Sequence, residues 1–162
     1  MIRKTIIISF MIIGLINFCQ AQSKKTINKY NIKAVTETIT DVSSNKEKIY
    51  KDAFQRFDGK GNTLEEIEYR NDGTIKKKTV NKFDNNDNLI QEDISDNTGF
   101  IERRMYSYNL DGEKITELTY DSANKLIKKS TYSYNNKGVK AEKRTFDENG
   151  KLIALKKYTY EN

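Results

Sequence analysis

A fixed spacing is the feature that most constrains what this chain can fold into. An aromatic or apolar residue precedes a polar turn cluster at Phe57, Tyr69, Phe83, Ile94, Tyr108, Tyr120, Tyr134, Phe146 and Tyr160, at intervals of 12, 14, 11, 14, 12, 14, 12 and 14 residues. Short and long units alternate, so the chain repeats itself about every 26 residues. A period of this size is the mark of one supersecondary unit stacked on copies of itself.

Each marker leads into turn chemistry. The clusters are Asp58-Gly59-Lys60-Gly61, Asn71-Asp72-Gly73, Asp84-Asn85-Asn86-Asp87-Asn88, Asp96-Asn97-Thr98-Gly99, Asp111-Gly112, Asp121-Ser122-Ala123-Asn124, Asn135-Asn136-Lys137-Gly138 and Asp147-Glu148-Asn149-Gly150. Asp and Asn at the start of a turn bond the backbone two residues on, and Gly or Asn near its end takes positive φ at low cost. These are hairpin connections of about four residues. Between them lie runs of 7–10 residues rich in Thr, Tyr, Ile, Val and Lys, such as Lys114 to Tyr120, Lys125 to Tyr134 and Lys151 to Tyr160. Their length suits strands, and turn signals return before three helical turns could form.

The same reading extends upstream, with a strand from Tyr30 to Val42, a turn at Ser43-Ser44-Asn45-Lys46 and a strand from Glu47 to Phe57. Short antiparallel connections make sequence neighbours spatial neighbours. The expected fold is all-β: an antiparallel meander of about ten strands in a single curved or twisted sheet. The two-residue difference between long and short units predicts a bulge or bend in the long strands, which would curl the sheet.

Residues 1–21 stand apart. Arg3 and Lys4 precede a 13-residue apolar run from Ile6 to Phe18, and Cys19 and Ala21 place small residues at −3 and −1. That is the order of a secretory signal peptide. The run is short for a permanent anchor, which needs about 20 apolar residues. Cleavage after Ala21 and release to the periplasm or the medium is the expectation. Acylation of Cys19 as a lipoprotein is the competing reading, opposed by Phe18 where a small residue belongs. The chain thus divides into a leader (1–21), N-terminal strands (22–56) and the hairpin repeats (57–162).

Composition narrows the function. The chain has no His, so no Ser-His-Asp or Cys-His pair can form. One Cys makes neither an internal disulfide nor a CxxC pair. Without the leader, 141 residues remain with net charge +4. About 31% of them are apolar, well under the usual share for a globular domain. Repeats spread residue types evenly, whereas catalysis needs a singular constellation, so no enzyme and no cofactor is expected. Asp84 to Asn88 opens like a calcium loop, but Leu89 stands where Gly is required and Ser95 where the distal acid belongs, which leaves a polar hairpin turn.

Aromatic pairs recur with the super-repeat at Tyr106/Tyr108, Tyr132/Tyr134 and Tyr158/Tyr160. Two readings compete. The rings stack along the sheet and supply area that a conventional core would provide. Alternatively, with Arg104, Lys129 and Lys156 nearby, they form a platform for a glycan or an extended polymer. Lys76-Lys77-Lys78, Arg103-Arg104, Lys128-Lys129 and Lys156-Lys157 fall within strands, so adjacent members point to opposite faces and pair across strands with Glu65, Glu66, Glu68, Glu113, Glu117 and Glu142. Nucleic acid is not an expected partner, nor is stable membrane insertion after cleavage.

Tyr132-Ser-Tyr-Asn-Asn-Lys-Gly-Val139, Tyr106-Ser-Tyr-Asn-Leu-Asp-Gly112 and Phe146-Asp-Glu-Asn-Gly-Lys-Leu152 resemble the YD repeat of Rhs-type bacterial proteins, across about residues 57–160. Small exported proteins with MORN-variant repeats are similar too. The resemblance implies hairpins added side by side into a curving sheet with a binding or encapsulating role. Ten strands are too few for the shell that large Rhs proteins build. The functional expectation is an exported, non-enzymatic binding module whose partner is an envelope glycan or protein. The rival is an immunity-type partner of a toxin, and a purely structural envelope role is the third reading.

Overall fold

The computed structural model describes residues 23–43 and 47–161. The leader, with Cys19 and the cleavage position Ala21, lies outside the described residues, as does most of the turn after Ser43. One short helix, α1 (Lys24–Lys29), precedes ten strands: β1 (Ala34–Asp41), β2 (Lys48–Phe57), β3 (Thr63–Tyr69), β4 (Ile75–Phe83), β5 (Leu89–Asp96), β6 (Gly99–Tyr108), β7 (Lys114–Asp121), β8 (Leu126–Tyr134), β9 (Lys140–Asp147) and β10 (Leu152–Lys157). They form one antiparallel sheet in sequence order that does not close, with β1 and β10 at its edges. The all-β meander expected from the period is the fold.

The turns explain why the repeat holds. In seven of the eight hairpins from β2 onward, the first turn residue donates its N–H to the carbonyl four residues on and accepts from the N–H three residues on, as in Asp58 to Asn62 and Asp147 to Lys151. The residue three on is always in the left-handed region: Gly61, Gly73, Asp87, Gly112, Asn124, Gly138 or Gly150. Where the first residue is Asp or Asn, its side-chain oxygen also accepts two backbone N–H groups, as Asp121 Oδ1 does from Ala123 and Lys125, both at 2.9 Å. The turn is thereby written into four residues. The exception is Asp96–Gly99, one residue shorter. It accounts for the odd interval of 11, because Ser95, not Ile94, stands in the marker position.

Two expectations need correction. The long and short units do not differ by a bulge: β4, β6 and β8 have 9, 10 and 9 residues against 7, 8 and 8 in β3, β5 and β7. Bulges occur instead in every hairpin from β2/β3 to β9/β10, each time on the strand that leaves the turn, where Leu64, Lys76, Ile90, Ile101, Ile115, Ile127, Ala141 and Ile153 have no residue opposite. The N-terminal segment does not begin with a strand either. Ser23 caps α1 through its hydroxyl, which accepts from Thr26 N–H at 3.2 Å, and Asn31 turns the chain at φ 50° before β1 starts at Ala34. Local capping and the burial of Ile27 override the strand tendency of Tyr30 to Lys33.

Burial is one-sided. Register places Ala53, Gln55, Phe57, Thr79, Ile94, Thr119 and Ser130 on the same face, and all are buried. Among the described residues no second sheet covers that face. Thr119 and Ser130, both 1% exposed, are small residues flanked across strands by Arg104 and Lys128, and by Glu117 and Thr145. Larger side chains close over them. The opposite face carries the cross-strand ion pairs Arg56–Glu65, Lys78–Glu65 and Arg103–Asp93, at 3.2, 2.6 and 2.6 Å.

Candidate functional site: a tyrosine and lysine ladder

The even-numbered strands each end with two inward positions before their turn. The outer position is Phe57, Phe83, Tyr108, Tyr134 and, past β10, Tyr160; the inner is Gln55, Asn81, Tyr106, Tyr132 and Tyr158. Both point to the buried face. The outer tyrosines are tied to the main chain of the preceding strand: their hydroxyls donate to the carbonyls of Leu89, Lys114 and Lys140 at 2.8, 2.9 and 2.7 Å. Each bond clamps the strand start at the residue before a bulge.

The inner tyrosines meet side chains instead. Tyr106 donates to Glu92 and Tyr132 to Glu117. Lys114 lies over the rings of both Tyr106 and Tyr132, at 4.6 and 5.0 Å, and Lys140 spans Tyr132 and Tyr158 at 5.0 and 5.7 Å. Lys143 adds a third ammonium at 5.1 Å from the Tyr132 ring. The result is an alternating row, Tyr106, Lys114, Tyr132, Lys140, Tyr158, held by cation–π attraction. Desolvation raises the Tyr106 and Tyr132 hydroxyls well above their ordinary pKa, and the neighbouring carboxylates raise them further. Both stay neutral donors. Burial opposes the charge of Glu117, but the Tyr132 hydroxyl together with Lys143 and Lys114 outweighs it and lowers its pKa.

Register sorts the residues anticipated from the sequence. Arg104 shares the tyrosine face, opposite Glu92 and Thr119, with its guanidinium on Glu102. Lys156 shares it too, directly opposite Lys143. Lys129 does not: it pairs with Leu118 and Phe146 on the other face, because strand alternation separates it from its neighbours Lys128 and Ser130. Lys114, Lys140, Lys143 and Glu92 were missed, and Glu117 was read only as an ion-pair partner of strand lysines. Lys114 and Lys140 lie 26 residues apart, as do Glu117 and Lys143, so the period itself held the signal.

The stretch that opens like a calcium loop, Asp84 to Asn88, places as a turn. Asp84 spends its carboxylate on Asn86 and Asn88, and Asp87 on Lys60, Asn62 and Lys24. No group of three acids able to hold a metal occurs among the described residues. A cleft of about 610 Å³ opens at the rim between the turns of β4/β5 and β6/β7, with Ile90 and Tyr108 at its base.

No protein-family model and no curated protein matches the chain. Among solved structures it is similar to TarM (18% identity, TM-score 0.32) and to a variant of S. aureus TarM in complex with fondaparinux, alpha-GlcNAc-glycerol and UDP (16%, TM-score 0.32), in each case over 80% of this chain and 22% of the other. A porin-like protein from Bacteroides uniformis is similar at 18% identity and TM-score 0.36, over 80% of this chain and 52% of its own length. The chain thus spans about a fifth of TarM and half of the porin-like protein.

Proposed function

We propose that this chain is an exported, non-enzymatic β-repeat module that binds a polymer, a glycan before a protein, at the cell envelope through its tyrosine face. The observation that carries the reading is the row Tyr106, Lys114, Tyr132, Lys140, Tyr158. Tyr106, Tyr132 and Tyr158 are two strands apart, so the row repeats about every 9–10 Å. A linear polysaccharide repeats on the same scale, roughly the length of two sugar rings. Ring edges supply apolar contact, and ammonium groups donate to hydroxyl, carboxylate or phosphate oxygens along such a chain.

A polysaccharide array probed with the wild-type protein and a Lys114→Ala/Lys140→Ala variant tests this. Retention of a linear envelope polysaccharide by the wild type, weakened at least about tenfold in the variant, supports the reading. Binding equal in both proteins, or no polysaccharide binding, sinks it. A single stoichiometric protein captured from envelope extract would favour the immunity-type alternative. Export is checked separately by N-terminal mass analysis. Gln22 as first residue agrees with it; acylated Cys19 or retained Met1 contradicts cleavage at Ala21.

A further inference from the structure

The strands alternate in charge. From β1 to β8 their net charges are −2, +2, −3, +4, −3, +1, −1 and +2, so every antiparallel pair joins an acidic strand to a basic one. The alternation fails at β9, so the last two pairs, β8/β9 and β9/β10, both join basic strands. Strand β9 carries +1 and β10 carries +2, and Lys143 faces Lys156 directly on the same side of the sheet. Like charges opposite one another destabilise a pair. The basic strand β10, exposed at all six residues, therefore ends the sheet with an unmet preference for an acidic neighbour. The other edge, β1, is acidic.

The repeat also states the register. In each pairing of an even strand with the next odd one, the inner position faces the same odd-strand site: Gln55 faces Glu66, and Tyr106 faces Glu117. In β8/β9 the site holds Lys143, opposite Tyr132. The corresponding residue of β1 is Glu37, which faces Ala53 as Glu66 faces Thr79 and Glu92 faces Arg104. Tyr158 is the one inner tyrosine whose hydroxyl meets no carboxylate among the described residues, since Lys143 has replaced the glutamate.

We infer that copies of this protein associate head to tail, with the β10 edge of one pairing antiparallel to the β1 edge of the next. Tyr158 then faces Glu37 of the second copy, and Lys156 lies diagonally between its Glu37 and Asp41, all on the tyrosine face. Lysine on an edge strand commonly prevents pairing. Here it prevents β10 from meeting another β10 while favouring an edge of opposite sign. The contact is heterologous and does not close, so it builds open chains of copies, in which the row of inner positions runs from Tyr158 of one copy to Gln55 of the next.

Sedimentation velocity of the full chain across a wide concentration range tests this. Wild type should grow in mass with concentration beyond the 18.9 kDa of one chain, and less so in high salt, which screens the edge charges. Lys156→Glu/Lys157→Glu makes both edges acidic, and Glu37→Lys/Asp41→Lys makes both basic. Each should raise the association midpoint at least about tenfold, and mixing the two variants should restore association. Hydrogen exchange in the wild type supplies a readout independent of variant folding: amides of β1 and β10 alone should gain protection with concentration. A wild type that stays monomeric throughout, a mixture that fails to associate although both variants keep the wild-type circular dichroism, or protection gained elsewhere would overturn the inference.

Discussion

The two halves of the sheet solve the same problem with different residues. Both repeat one hairpin, and both must shield small residues on a face that no second sheet among the described residues covers. In β1 to β5 the inner and outer positions are Gln55, Asn81, Phe57 and Phe83, and helix α1 closes the end of the face. Gly61 lets it approach: a Cβ there would lie 2.8 Å from the Lys24 carbonyl oxygen, and Asn28 donates to the Lys60 carbonyl. In β6 to β10 no helix is present, and tyrosines with interleaved lysines take over. A repeat fixes where bulk is needed without fixing its chemistry. The half that is capped uses phenylalanine at the outer positions and an amide at the inner ones; the half that is open uses tyrosine at both, with an apolar body and a polar tip.

Breaking the N-terminal solution should cost most. Phe57 is 6% exposed, and Phe57→Ala should destabilise by about 3–5 kcal/mol in chemical denaturation. In the open half, Tyr132→Ala should cost roughly 2–4 kcal/mol. Tyr158→Ala should cost less, because a terminal repeat has one neighbour instead of two. If both tyrosine variants denature like wild type, the rings are a platform alone, and the comparison between the halves fails.

Glycine substitutions sharpen the role of α1. Gly61 and Gly73 share φ of 82°, but nothing lies within 4 Å of a Cβ at Gly73. Gly73→Ala should therefore cost only the backbone term, about 1–2 kcal/mol, while Gly61→Ala should cost more and release α1, seen as loss of amide protection at Ile27 and Tyr30. Equal losses would separate the helix from the shielding of the N-terminal half.

The smallest effect isolates one hydroxyl. Tyr132→Phe keeps the ring and removes the donor to Glu117, for a loss of about 1 kcal/mol. The Glu117 carboxyl has a lowered pKa in the fold, so its contribution is present above the unfolded-state value and is lost as pH falls through the folded one. Without the Tyr132 hydroxyl that folded value rises, and acid unfolding should begin at higher pH. An unchanged acid limb in circular dichroism would mean that Lys114 and Lys143 alone hold the carboxylate ionised.

Much of the fold was legible from local chemistry. Turn type, strand count and meander order follow from Asp or Asn at the first turn position and Gly, Asn or Asp three residues later, because those interactions close within five residues. Partnerships were not legible in the same way. Lys129 stands three residues from Tyr132 and faces away from it, while Lys114 stands eighteen away and lies on its ring. Unit length predicted bulges but not their places, because no residue type announces them; Ile dominates those positions, yet Ile is also what any strand prefers.

The sequence by itself therefore determined how the chain turns and how often, since each hairpin is specified by its own few residues. Only the tertiary structure decided which residues meet. Facing depends on register, and register is the sum of every turn length and bulge between two residues: a single extra residue, as at Ile115 or Ile127, moves the side chains beyond it relative to the neighbouring strand.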